Sequence, residues 1–163
     1  MPDPIAEAHR QWMAHDWADA ADGMALVTSV VRVHQLLMER IDAVLRPLDL
    51  SFARYEVLQL LAFTRRGQLP MTKLGSLLQV HPTSVTSAVE RLEKQGYVAR
   101  SRGEQDRRVV LASITDAGRE IVERASEGLN KDVFAHPGVV GDDLTDLTRR
   151  LTALRAAAGD PVD

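Results

Sequence analysis

Four hydroxyl side chains, Thr83, Ser84, Thr86 and Ser87, open a segment that continues with Arg91 and Lys94 and then with Arg102, Asp106, Arg107 and Arg108. These residue types suit one kind of chemistry, the recognition of duplex DNA. Hydroxyls can donate to or accept from base edges, and the methyl of a threonine can meet the methyl of a thymine. Thr83, Ser84 and Ser87 fit that role. Thr86, Arg91 and Lys94 suit the phosphate backbone, which positions a protein without reading sequence. A guanidinium on a loop can enter a narrow minor groove, where the negative potential is enhanced. That role falls to Arg102, Arg107 and Arg108. A carboxylate such as Asp106 repels phosphate, so its expected task is to orient an arginine by bidentate pairing.

Such residues work only if helices and a hairpin present them. Residues 70–118 read as a short helix from Lys73 to Gln79, a turn at Val80-His81, and a second helix from Pro82 to about Gln95. Proline is tolerated at a first helical position because its missing N–H has no partner there in any case. Val85, Val89 and Leu92 should face inward, and Gly96 should end the helix. Tyr97 to Arg100 and Val109 to Ser113 read as two strands around a polar loop, Ser101 to Arg108. A two-stranded ribbon is marginal alone, so it must pack on the helices. The expected fold is mainly α with a small β wing: a winged helix-turn-helix.

The flanks are helical. Residues 4–19 suggest a short helix, with Asp22-Gly23 breaking it from the next. Leu26, Val27, Val30, Leu37, Ile41, Val44 and Leu45 then line one face of a long amphipathic helix that Pro47 ends. Ser51 is the expected cap of a helix carrying Phe52, Tyr55, Val57, Leu58, Leu60 and Leu61, closed by Arg65-Arg66-Gly67. Thr115 caps another helix that runs to about Phe134, and His136-Pro137-Gly138 breaks it. A last helix begins near Asp142, with Leu144, Leu147, Leu151 and Leu154 at helical spacing. Three parts follow: N-terminal helices at 1–48, a winged lobe at 49–114 and C-terminal helices at 115–163. The two apolar stripes are too large for a small monomer to bury, so both terminal parts are expected to serve dimerisation.

Composition narrows the function classes. The net charge is −3, yet the window from Arg65 to Arg108 holds nine Lys/Arg against four acids, a local balance of +5, leaving −8 to the rest. A basic centre between acidic ends fits a protein that meets phosphate with one lobe. There is no Cys, which excludes disulfides and thiol sensing. Five histidines are present, but His15, Asp16 and His34 lack a metal-ligand spacing, so no metal is expected. No cofactor is expected either. A Gly-rich phosphate loop, G-x-S-x-G and H-E-x-x-H are all absent, so the chain does not read as an enzyme. No apolar run approaches the ~20 residues of a membrane span, and the N-terminus is unlike a secretory signal. A soluble, cytoplasmic protein is the expectation. The rival reading is a winged-helix module that binds protein rather than DNA.

The segment SVTSAVERLEKQGYVAR, followed by DRRVVLASITDAGR, resembles the MarR family of bacterial transcriptional regulators. It is similar to the family's recognition helix, its wing with a D-x-R element (here Asp106 and Arg108), and the helix start after the wing. The likeness runs from roughly Met24 to Leu154. It implies a triangular homodimer whose terminal helices interlock, most often a repressor. A two-fold dimer implies a pseudo-palindromic operator with half-sites about one helical turn, ~10 bp, apart. The resemblance also implies a small-molecule effector bound near Trp17, His34, Phe52 and Tyr55. Pro82 and Ser87 stand where many members carry basic residues, so direct readout would lean on hydroxyls and the wing. Trp17 and the acidic N-terminal segment resemble the urate-sensing branch. By alignment its acid falls on Glu56 and its arginine on Ala88, which removes the main partner of an anion.

Overall fold

A computed structural model of the chain describes residues 2–78 and 82–162. These fall into two compact units, Met1–Phe52 and Ala53–Asp163.

The first unit is a pair of helices. α1 spans Pro4–Ala14; Asp3 caps it by accepting from the Ile5 amide at 2.9 Å, and Pro4 takes a first-turn position. A 3₁₀ turn at Ala18–Ala20 leads into α2, Ala21–Leu45. His9 Nε2 lies 2.8 Å from Asp22 Oδ1 and ties α1 to α2. The break expected at Asp22-Gly23 is therefore misplaced, because both residues lie inside the first turns of α2. Asp22 is favourable there, beside the positive end of the helix dipole. A single helical glycine costs only about 1 kcal/mol. The real break is at His15–Trp17, where the chain turns extended and Trp12 and Trp17 meet at 5.3 Å between ring centroids. α2 ends as expected just before Pro47, in a 3₁₀ turn over Arg46–Leu48.

The second unit builds the winged lobe. α3 (Phe52–Phe63) buries Tyr55, Val57, Leu58 and Leu61, as its apolar pattern demands. α4 follows at Met71–Leu78 and α5 at Pro82–Lys94. The expected turn at Val80-His81, with Gln79, lies outside the described residues. Leu58, Leu61, Leu74, Val89, Leu92 and Leu129 are among the largest fully buried side chains. Among the described residues no polar or charged side chain is buried.

The sheet holds one strand more than the sequence suggests. β1 (Gln68–Pro70), β2 (Val98–Arg102) and β3 (Val110–Ile114) are antiparallel in the order β1-β3-β2. β1 is three residues long and ends on a proline, so it has neither the length nor the alternation that marks a strand in sequence. Its edge position explains why proline is accepted. The wing strands are also shifted from their expected bounds. Val98 pairs with Ile114 and Arg102 with Val110, so Arg102 belongs to a strand rather than to the loop.

α6 spans Asp116–Leu129, with the Thr115 hydroxyl accepting from the Gly118 amide at 3.0 Å. A π-helical turn, Asn130–Phe134, continues it to the residue expected. α7 (Gly141–Ala157) buries none of its residues. Gly118 lies where the first turn of α6 passes the backbone of Tyr97. A Cβ there would sit 2.2 Å from the Tyr97 carbonyl oxygen and 2.8 Å from Ile114 Cγ1. We expect Gly118→Ala to lose about 1–3 kcal/mol of stability through overpacking. Urea denaturation checks this, and an unchanged midpoint would mean that α6 can retreat freely.

Candidate nucleic-acid interface

α5 has two unlike sides because its apolar residues recur at helical spacing. Val85, Ala88, Val89 and Leu92 are buried on one side. Thr83, Ser84, Thr86, Ser87, Arg91 and Lys94 are all exposed on the other. The two cations lie in the last turns of the helix, where the dipole favours them. Burial thus holds the helix in place while its hydroxyl face stays open to solvent.

The wing tip is a turn closed by its own backbone. The Gly103 amide donates to the Val109 carbonyl at 2.9 Å, and the Val109 amide donates to the Asp106 carbonyl at 3.1 Å. Gly103 is needed for this approach, since a Cβ would lie 2.8 Å from the Asp106 carbonyl oxygen. Asp106 does not pair with a guanidinium as expected. Its Oδ1 instead accepts from the Arg108 backbone amide at 2.9 Å. An Asp side chain readily bonds the main chain two residues on, and the tight turn presents that donor to it. Arg102 Nη1 donates to the Arg107 carbonyl at 3.2 Å, a second brace across the hairpin. Arg107 and Arg108 remain exposed.

A network of ionic contacts that helical periodicity does not predict lies at the far end of α5. Arg100, on β2, places Nη2 2.7 Å and Nε 2.9 Å from Glu93 Oε2, and Nη1 3.8 Å from Glu90 Oε1. The hydrogen bond from Arg100 holds the Glu93 carboxyl below its usual range, and Glu93 raises Arg100 in turn. From α3, Arg54 Nη1 donates to Gln95 Oε1 at 2.7 Å. The only hint in the sequence is the pair of acids one helical turn apart. Nothing there tells that β2 runs back beside α5. Among the described residues no ion-pair partner faces Arg91, Lys94, Arg107 or Arg108.

The residues expected to meet an effector are scattered in environment. Trp17 is 55% exposed and stacks on His15 at 5.5 Å; His34 is exposed and Phe52 half-buried. Tyr55 is buried, and its hydroxyl lies 3.1 Å from Ser126 Oγ, which donates to Gln59 Oε1 at 2.8 Å. Burial pushes the Glu56 carboxyl upward. Among the described residues no group of three or more His, Cys, Asp or Glu could hold a metal ion. No described helix is long and apolar enough to cross a membrane.

A hydroxyl-faced helix, a shorter helix before it and an arginine-bearing hairpin after it define a winged helix-turn-helix protein. Residues 50–110 match the MarR family model. The fold is similar to that of Sco5413, a MarR family transcriptional regulator from Streptomyces coelicolor. The two share 43% identity and a TM-score of 0.76, over 86% of this chain and 99% of that one. It is also similar to Sco3205 of the same organism, a MarR family regulator solved in complex with DNA, with 25% identity and a TM-score of 0.74 over 86% and 89% of the chains. The HTH-type transcriptional regulator YhbI of Bacillus subtilis is 31% identical over 53% of this chain, and that match spans 54% of YhbI. The chain belongs to the MarR family. It is a transcriptional regulator, not an enzyme.

The Asp106 contact makes a local prediction. Asp106→Ala should leave overall stability within about 1 kcal/mol, the net worth of one such hydrogen bond, while speeding amide exchange at Arg108 and Val109. Unchanged exchange rates at both amides would remove Asp106 from the organisation of the wing.

Proposed function

We propose that this regulator binds a pseudo-palindromic duplex operator as a homodimer, represses transcription there, and is released by a small-molecule effector. The observation that carries the DNA reading is α5, a helix buried on one side and lined on the other by hydroxyls and unpaired cations. In this reading Thr83, Ser84 and Ser87 meet base edges. Thr86, Arg91 and Lys94 hold phosphates. Arg107 and Arg108 enter the adjacent minor groove from a wing that Arg102 and Asp106 keep rigid. Sco3205, similar in fold, was solved in complex with DNA, which supports DNA as the partner. Such a protein would work in the bacterial cytoplasm.

The dimer reading rests on apolar side chains that stay exposed among the described residues. Leu144, Leu147, Leu151 and Leu154 of α7 are between 39% and 45% exposed, and Leu26, Val27, Val31 and Val33 of α2 are more than half exposed. A single-stripe helix of this kind is normally covered. Residues 1–48 and 115–163 are thus read as the dimerisation parts and 49–114 as the DNA lobe. Trp17, His34, Phe52 and Tyr55 remain the proposed effector contacts.

The direct test is fluorescence anisotropy against the chain's own upstream DNA and a scrambled duplex at several salt concentrations. One dimer should bind the upstream duplex preferentially, with affinity falling steeply in salt. Equal, weak binding to both, and no sequence recovered by selection from random DNA, would favour a protein-binding winged helix. Arg108→Ala should weaken binding at least about tenfold, the scale of one lost charged contact, without loss of helicity; full affinity would sink the wing assignment. Leu147→Glu should dissociate or unfold the dimer, since a charge cannot be buried there cheaply. A fully dimeric, well-folded variant by light scattering and circular dichroism would rule α7 out of the interface.

A further inference from the structure

The outward face of α5 carries a contradiction. Glu90 lies one turn from Ser87 and one turn from Lys94, so it shares their stripe. Glu93 flanks the same stripe. Along this half of the helix the two acids cancel Arg91 and Lys94, and a neutral surface gains nothing from phosphate. An uncompensated carboxylate beside phosphate would be repulsive.

Arg100 resolves this. Its guanidinium reaches across from β2 to both carboxylates, 2.7 Å from Glu93 and 3.8 Å from Glu90. It is only about one-third exposed, less so than either partner's carboxylate. Its Nε and Nη2 both face Glu93 Oε2, which turns that edge of the guanidinium toward the helix. We propose that Arg100 is a positioning residue for DNA binding: it masks Glu90 and Glu93 and restores the net positive charge of the helix end. Arg54, bonded to Gln95 from α3, grips the same end of the helix from another element. The inference rests on the proposed DNA-facing role of α5.

The masking role separates from a direct contact by rescue. The probe is a duplex selected from random DNA by the wild-type full-length chain, and the readout is anisotropy at low salt. Arg100→Gln should weaken binding about tenfold, as expected for exposing like charge at an interface. It should move the melting temperature little, because exposed ion pairs contribute about 0–1 kcal/mol. Adding Glu90→Gln and Glu93→Gln to Arg100→Gln should bring affinity back to within about threefold of wild type, by removing the charge that Arg100 masks. Masking further requires that Glu90→Gln with Glu93→Gln raise affinity more in the Arg100→Gln background than with Arg100 present; an equal gain in both backgrounds would mark a general charge effect and overturn the masking role. Full affinity in Arg100→Gln, or an undiminished loss in the triple variant, would overturn the proposal. Arg91→Ala serves as the control. Its weakening of binding, with Arg100→Gln neutral, would overturn the masking role alone; full affinity in Arg91→Ala would overturn the α5 interface on which it rests.

Discussion

The geometry of the winged lobe depends on one junction, where the chain leaving α5 crosses the start of α6. Three contacts converge on two residues. The Thr115 hydroxyl donates to the Gly96 carbonyl at 2.7 Å, the Thr115 amide donates to the Tyr97 carbonyl at 3.0 Å, and Gly118 gives up its side chain so that the helix can pass that carbonyl. Gly96 takes a positive φ of 78°, which a glycine accepts without cost. Thr115 also accepts from the Gly118 amide, so one hydroxyl both caps α6 and ties it to the end of α5. Because β2 begins at the next residue, the tie sets where the wing departs relative to α5.

From that junction the functional surface follows by elimination. Core packing takes Val85, Ala88, Val89 and Leu92 out of contact with water. What remains outward in the first turns of α5, Thr83, Ser84, Thr86 and Ser87, is short and polar, as the proposed groove-entering role requires. The wing is stiffened from within: two backbone bonds and two side-chain bonds close its tip, and none of them uses Arg107 or Arg108 side chains. Preorganisation of this kind lowers the ordering cost of binding. The overall charge of −3 is no obstacle. Charge works over about a Debye length, ~8–10 Å at physiological salt, so the local balance around α5 and the hairpin decides what they attract.

Much of this was legible in the chain itself, for identifiable reasons. α5 was readable because its period is complete and Gly96 ends it. α6 was readable because Thr115 is a strong cap. β1 was not, since a three-residue edge strand ending in proline carries no periodic signal. The break between α1 and α2 was misplaced because a glycine is a weak breaker in the first turn of a long helix, while the extended His15 has no local signature. The bonding of Asp106 is not legible from charge pattern, because its donor is a main-chain amide two residues on and not a guanidinium.

The family, the order of the helices and the outward side of α5 are all readable from the chain alone. Each of those depends on residues near one another in the chain, through periodicity, capping and turn chemistry. Tertiary structure decided the rest. It joined the wing strands to β1 in a three-stranded sheet and brought Arg100 beside Glu90 and Glu93. One physical cause underlies both. They are contacts made when the chain reverses on itself, and their partners are chosen by distances in space that local spacing does not encode.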